Sequence, residues 1–111
     1  MTGKEAAQAY GTTIAMIRYY ARAGLIPSPE KRNGKVRQYD ERECDTIALI
    51  ESMSAAGMAL DEIAEYLSMR EDGTNTRHNR MRILDERRAR LDEKAHRLKQ
   101  MIDRIDREMQ S

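Results

Sequence analysis

Arg18, Tyr19 and Arg22 lie within five residues of one another, and Lys31, Arg32, Lys35 and Arg37 follow within the next fifteen, interleaved with Tyr20 and Tyr39. Guanidinium groups grip phosphate oxygens and base edges, and a neighbouring tyrosine adds a hydroxyl and an apolar edge. That combination suits a duplex nucleic acid. Standing alone on one helix, Arg18 and Arg22 would read as an ordinary solvated face. The second basic cluster, close behind them in the chain, reverses that reading.

The elements that must hold these side chains can be read from local signals. Gly3 to Ala9 forms a short helix, punctuated by Tyr10-Gly11. Thr12 and Thr13 are good N-cap types for a second helix that runs to about Ala23 and is closed by Gly24. At 100° per residue, Met16, Ile17, Tyr20, Ala21 and Gly24 fall within about 80° of Thr13, on the inward side. Ala15, Arg18, Tyr19 and Arg22 then face outward. Leu25-Ile26-Pro27 leads into an extended segment, because the residue before proline disfavours helical angles. Asn33-Gly34 is a strong hairpin signal, flanked by Lys31, Arg32, Lys35, Val36, Arg37 and Tyr39, and it predicts a small basic β-wing.

Asp40 is a candidate N-cap for a third helix carrying Cys44, Ile47, Ala48, Ile50, Glu51, Met53 and Ser54, with Gly57 as its stop. Leu60, Ile63, Ala64 and Leu67 repeat the helical spacing in a fourth. The polar residues 71–76 form an elbow between a DNA-binding unit over 1–70 and a long helix over 77–110. On that helix Met81, Leu84, Arg88, Leu91, Ala95, Leu98, Ile102, Ile105 and Met109 alternate by three and four, an a/d heptad seam. From 81 to 109 it is a rod of about 42 Å with no core of its own to pack against, so a second copy must cover it. Arg88 interrupts the seam and would set register against a carboxylate of the partner.

The net charge of +1 over 111 residues conceals a segregation. Residues 1–40 carry 7 basic and 3 acidic groups, 41–72 carry 2 and 9, and 73–111 carry 11 and 7. Phosphate binding depends on local cation density, so the N-terminal third is the binding candidate. With five Tyr, no Phe and no Trp, the core must rest on Leu, Ile, Met and Ala, which favours packed helices, a mainly α fold.

Other chemistries are poorly supplied. The single Cys44 excludes an internal disulfide and lies on the apolar stripe of the third helix, as a packed thiol rather than a sensor. His78 and His96 are 18 residues apart and read as surface residues, so no metal site and no cofactor are expected. Met53, Met58, Met81 and Met109 sit on apolar stripes and are read as packing. No nucleophile–base pair, phosphate loop or carboxylate pair supports an enzyme. With no signal peptide and no apolar run of about 20 residues, a cytoplasmic protein without membrane contact is expected.

The run Tyr10-Gly11-Thr-Thr-Ile-Ala-Met-Ile-Arg18-Tyr19-Tyr20-Ala-Arg-Ala-Gly24-Leu25-Ile26-Pro27, then Asn33-Gly34-Lys-Val-Arg37-Gln-Tyr39, resembles the MerR family of transcription regulators. Ile47-Ala-Leu-Ile50 and Ala56-Gly57-Met58-Ala59-Leu60-Asp-Glu-Ile63 look like that family's third and fourth helices, and the rod looks like its dimerisation helix. The resemblance implies a winged helix-turn-helix homodimer on double-stranded DNA. Its rods would pair antiparallel, its recognition helices would enter successive major grooves, and its wings would grip the flanking backbone. Arg18, Tyr20 and Arg37 fall at family contact positions, and the full candidate set is Thr13, Ala15, Arg18, Tyr19, Tyr20, Arg22, Lys31, Arg32, Lys35, Arg37 and Tyr39. The resemblance also implies a pseudo-palindromic operator in an overlong promoter spacer, distorted so that RNA polymerase engages both elements.

The chain departs from the family pattern in places. Ala15 is too short to read a base, and Ala59 stands where a capping Ser is common, at a cost of about 1 kcal/mol. No effector segment is expected after the rod, where relatives carry a metal loop or ligand domain, and Ser52 falls where an electrophile-responsive branch carries its cysteine. The effector, the operator and the direction of regulation stay open. Two other functions compete: a constitutive architectural DNA-binding protein, favoured by the missing sensor sequence, and a coiled-coil adaptor, against which the basic wing argues.

Overall fold

The computed structural model describes residues 1–72 and 74–111. Its helices are α1 (Gly3–Ala9), α2 (Ile14–Arg22), α3 (Glu41–Ala55), α4 (Leu60–Glu71) and α5 (Arg77–Gln110), with a 3₁₀ turn at Thr74–Thr76 ahead of α5. The chain divides into two compact units, Met1–Leu67 and Ser68–Ser111. The elbow expected over 71–76 includes Gly73, which lies outside the described residues. On either side of Gly73, α4 runs on to Glu71 and the 3₁₀ turn occupies Thr74–Thr76.

Local side-chain chemistry starts the helices. Thr2 Oγ1 accepts from the Glu5 N–H at 3.2 Å while Glu5 Oε1 accepts from the Thr2 N–H at 2.9 Å, a reciprocal capping box on α1. Asp40 and Glu43 repeat it on α3 at 2.8 and 3.0 Å. Thr13 caps α2, accepting from the Met16 N–H at 3.1 Å. Each such cap stabilises its helix by about 1 kcal/mol. Ahead of α4 only half a box survives. Glu62 Oε1 accepts from the Ala59 N–H at 3.1 Å, but alanine has no hydroxyl to return the bond.

The first unit packs α1 against α2, with Pro29 folded back over both. A Cβ on Gly3 would lie 2.6 Å from Pro29 Cβ and 2.9 Å from Ile14 Cδ1, closer than carbon atoms approach. Glycine is therefore the residue that lets these three segments meet. Beneath them Ile17, Tyr20, Ile47, Ile50 and Ile63 are the largest fully enclosed side chains. Although aromatics are few, Tyr20, Tyr39 and Tyr66 are all buried, so the core uses more than the aliphatic residues that composition suggests.

Two inward assignments on α2 are corrected by the structure. Met16 is 36% exposed and Gly24 lies on the surface. A helical wheel assigns half of the circumference to the core, but this nine-residue helix buries only Ile17 and Tyr20, with Ile14 and Ala21 partly covered. Met16 sits beyond the edge of that stripe. Gly24, at φ 82°, has already left the helix.

The β-wing is reduced to its tip. Arg32 and Lys35 exchange backbone hydrogen bonds at 2.8 and 3.1 Å around Asn33 (φ 54°) and Gly34 (φ 77°), the left-handed pair of a type I′ turn. No strand extends this isolated bridge among the described residues. The next hydrogen-bonded rung would pair Glu30 with Arg37. The Glu30 N–H is instead donated to Ser28 Oγ at 3.2 Å, and the ladder stops.

In the second unit α5 spans 34 residues and buries none of them. Its heptad positions are open along the chain, Leu91 at 40% and Ile105 at 59% exposure, Leu84 being half-buried. Arg88 is held only loosely within its own helix, 4.0 Å from Asp85. At the start of the unit, Thr76 Oγ1 donates to the Met69 carbonyl and accepts from Arg80 Nε.

Candidate nucleic-acid interface

The outward face of α2 is as open as its spacing predicts. Ala15, Arg18, Tyr19 and Arg22 are all exposed, and Thr13 stands at the helix start with its hydroxyl committed to the cap. The basic turn is also fully at the surface, with Lys31, Arg32, Lys35 and Arg37 exposed.

Two of the arginines are held by carboxylates. Arg18 Nε donates to Glu30 Oε1 at 2.6 Å, across twelve residues, and Arg37 Nη2 donates to Glu43 Oε2 at 2.7 Å. Exposed pairs of this kind contribute about 0–1 kcal/mol to folding. They orient the guanidinium groups while leaving the other N–H donors free for an incoming phosphate or base. Neither acidic partner stands out in the sequence, because both pairings depend on loops folding back.

Tyr20 and Tyr39 do not face outward. Tyr20 is 2% exposed, and its hydroxyl donates to Glu51 Oε1 on α3 at 2.7 Å. Burial, reinforced by that carboxylate, pushes its phenol up to about 12. Tyr39 is 3% exposed and donates its hydroxyl to the Pro27 carbonyl at 2.6 Å. Burial raises its phenol as well. Both residues brace the interface from beneath. The helical spacing already set Tyr20 inward, against its assignment as a contact; for Tyr39, outside any helix, a tyrosine next to an arginine does not separate a ring packed inward from one laid on the surface.

One cation escaped the motif reading. Lys4 shares with Arg18 and Lys31 a surface depression of about 310 Å³ between α1, α2 and the basic segment. The only sequence hint is its membership of the basic N-terminal third. Elsewhere, Cys44 is buried with its thiol 3.8 Å from the Tyr39 carbonyl, while His78, His96 and Ser52 are exposed. Among the described residues no three His, Cys, Asp or Glu side chains converge on a metal site, and no helix is long and apolar enough to cross a membrane.

An exposed basic helix following a tight turn, with a second basic turn beside it, defines a helix-turn-helix protein. The family model for MerR HTH regulatory proteins matches residues 1–70, and the model described as MerR, DNA binding matches 44–107. The chain belongs to the MerR family. It is 36% identical over 87 residues to the HTH-type transcriptional regulator AdhR of Bacillus subtilis, covering 78% of this chain and 62% of that protein. It is 41% identical over 69 residues to the mercuric resistance operon regulatory protein of Serratia marcescens, covering 62% of this chain and 47% of that protein. The chain thus spans less than two thirds of the length of either relative. Among solved structures, its fold is similar to that of HiNmlR, a MerR family regulator lacking the sensor domain and bound to promoter DNA, with a TM-score of 0.84 at 20% identity. That likeness covers 93% of this chain and 78% of the other.

Proposed function

We propose that this chain is a sequence-specific DNA-binding transcriptional regulator acting as a homodimer. The observation that carries the reading is the exposed face of α2, where Arg18, Tyr19 and Arg22 stand beside the basic Arg32–Lys35 turn, within the 1–40 segment that carries 7 basic and 3 acidic groups. In this reading α2 lies in the major groove, and the turn acts as the tip of a wing against the flanking phosphates. Lys31, Arg32, Lys35 and Arg37 supply charge there, and Tyr20 and Tyr39 hold the surface in place.

The uncovered seam of α5 supports dimerisation. A 34-residue helix with regularly spaced, exposed Met81, Leu91, Ala95, Leu98, Ile102, Ile105 and Met109, with Leu84 beside them, gains its burial from a second copy. Two reading heads on one symmetric rod call for a pseudo-palindromic operator. Family membership favours a promoter site distorted to suit RNA polymerase, as opposed to a protein that merely bends DNA.

The test is a pull-down of sheared genomic DNA with the purified chain, followed by sequencing of retained fragments. Pseudo-palindromes within promoter spacers are the expected result. Sequence-indifferent retention would instead indicate an architectural DNA-binding protein, and no retention at physiological salt a protein-interaction adaptor.

A further inference from the structure

The polar inventory of α2 is narrow. From Ile14 to Arg22 it contains no Asn, Gln, Asp, Glu, Lys or Ser, and the hydroxyl at its N-cap, on Thr13, is occupied by the cap. Bidentate adenine recognition uses Asn or Gln, cytosine recognition uses Asp or Glu, and guanine recognition uses Arg or Lys. In this helix only the guanine partners exist, Arg18 and Arg22, and both lie beyond the first turn.

The first turn is where helix-turn-helix proteins usually touch base edges. Here it presents Ala15 and Met16, both exposed, with Tyr19 one turn on at 45% exposure. Ile17 and Tyr20 enter the core, so the exposure of Met16 is not demanded by packing within the chain. Met16, 36% exposed, and the neighbouring Ala15 offer apolar surface and no hydrogen bond of consequence. The feature of the major groove that it complements is the thymine C5-methyl group.

We propose that Met16, with Ala15 beside it, is a specificity-determining contact that reads thymine methyl groups in the operator. This inference rests on the reading of α2 as the DNA-contacting helix. Arg18 and Arg22 supply guanine or phosphate contacts on the same face, while Met16 selects thymine by apolar burial alone.

The test uses the full chain and one randomised duplex pool, amplified in parallel with dTTP or with dUTP, which lacks only the C5-methyl. Selection from the thymine pool is expected to enrich a motif with thymine at a defined position of each half-site, and the uracil pool to lose that preference. Replacing that thymine by uracil in the best duplex weakens binding about fourfold per buried methyl. Met16→Ala binds the two duplexes equally, whereas Met16→Leu keeps most of the difference. A motif without thymine preference, equal affinity for the two duplexes, or an unchanged ratio in Met16→Ala would overturn the proposal and leave DNA binding by α2 intact. Retention of neither pool would overturn both.

Discussion

The Tyr20 hydroxyl and the Glu51 carboxylate, 31 residues apart in sequence, meet at 2.7 Å and tie the back of α2 to α3. The face of α2 that carries Arg18, Tyr19 and Arg22 is therefore oriented by a hydrogen bond made on its opposite side. A charge-assisted bond of this sort contributes about 1–2 kcal/mol.

Tyr20→Phe is expected to cost about 1–2 kcal/mol at neutral pH while leaving the ring packed. The phenol rises from 10.0 to about 12 on folding, so the folded state holds the proton more tightly than the unfolded state. Its contribution is complete below about pH 10 and is lost as the pH climbs toward about 12. Urea denaturation at pH 7, 10 and 11.5 should show the wild type converging on the variant at the alkaline end. A constant gap across the three values would show that the phenol does not titrate in this way.

Gly3→Ala should destabilise the chain by about 1–3 kcal/mol, although alanine is the better helix former. The new methyl would lie 2.6 Å from Pro29 Cβ and 2.9 Å from Ile14 Cδ1; the Ile14 methyl can turn aside, but Pro29 Cβ is fixed in its ring. Thermal melts of the two proteins decide the sign, and a stabilised variant would mean that Pro29 yields at little cost.

Arg18→Ala and Arg37→Ala should each weaken operator binding by about tenfold without changing the sedimentation of the dimer. Loss of a phosphate contact at Arg37 also lowers the slope of log affinity against log salt by about 1. Glu30→Gln releases Arg18 from its carboxylate and removes a negative charge from the surface, so it should raise affinity severalfold. Binding isotherms at three salt concentrations measure all of these. Unchanged affinity in both arginine variants would place the site elsewhere.

Leu91→Asp puts a carboxylate at the centre of the α5 seam, where each copy would face the other's charge. Sedimentation should report a monomer, with operator affinity lower by about a hundredfold or more because the second reading head no longer binds from the same molecule. The first unit should keep its fold, which circular dichroism would show as retained helix. A dimer that survives Leu91→Asp would mean that the seam does not hold it together.

Much of this protein follows from neighbours in sequence. Thr2, Thr13 and Asp40 cap their helices through bonds spanning three residues, and Asn33-Gly34 makes its turn because both residues tolerate positive φ, so these features need no tertiary context. The heptad seam is equally local, a matter of spacing on one helix. Tertiary structure decided what long-range contact controls. It placed Tyr39 in the core, and it gave the inward Tyr20 and Tyr39 hydroxyls their partners, Glu51 and the Pro27 carbonyl, from residues distant in the chain. It left Met16 about a third exposed, because the area that α2 buries depends on what packs against it rather than on a helical wheel. The end of the wing after one bridge, by contrast, is again local: Ser28, two residues away, takes the Glu30 N–H that a longer ladder would need.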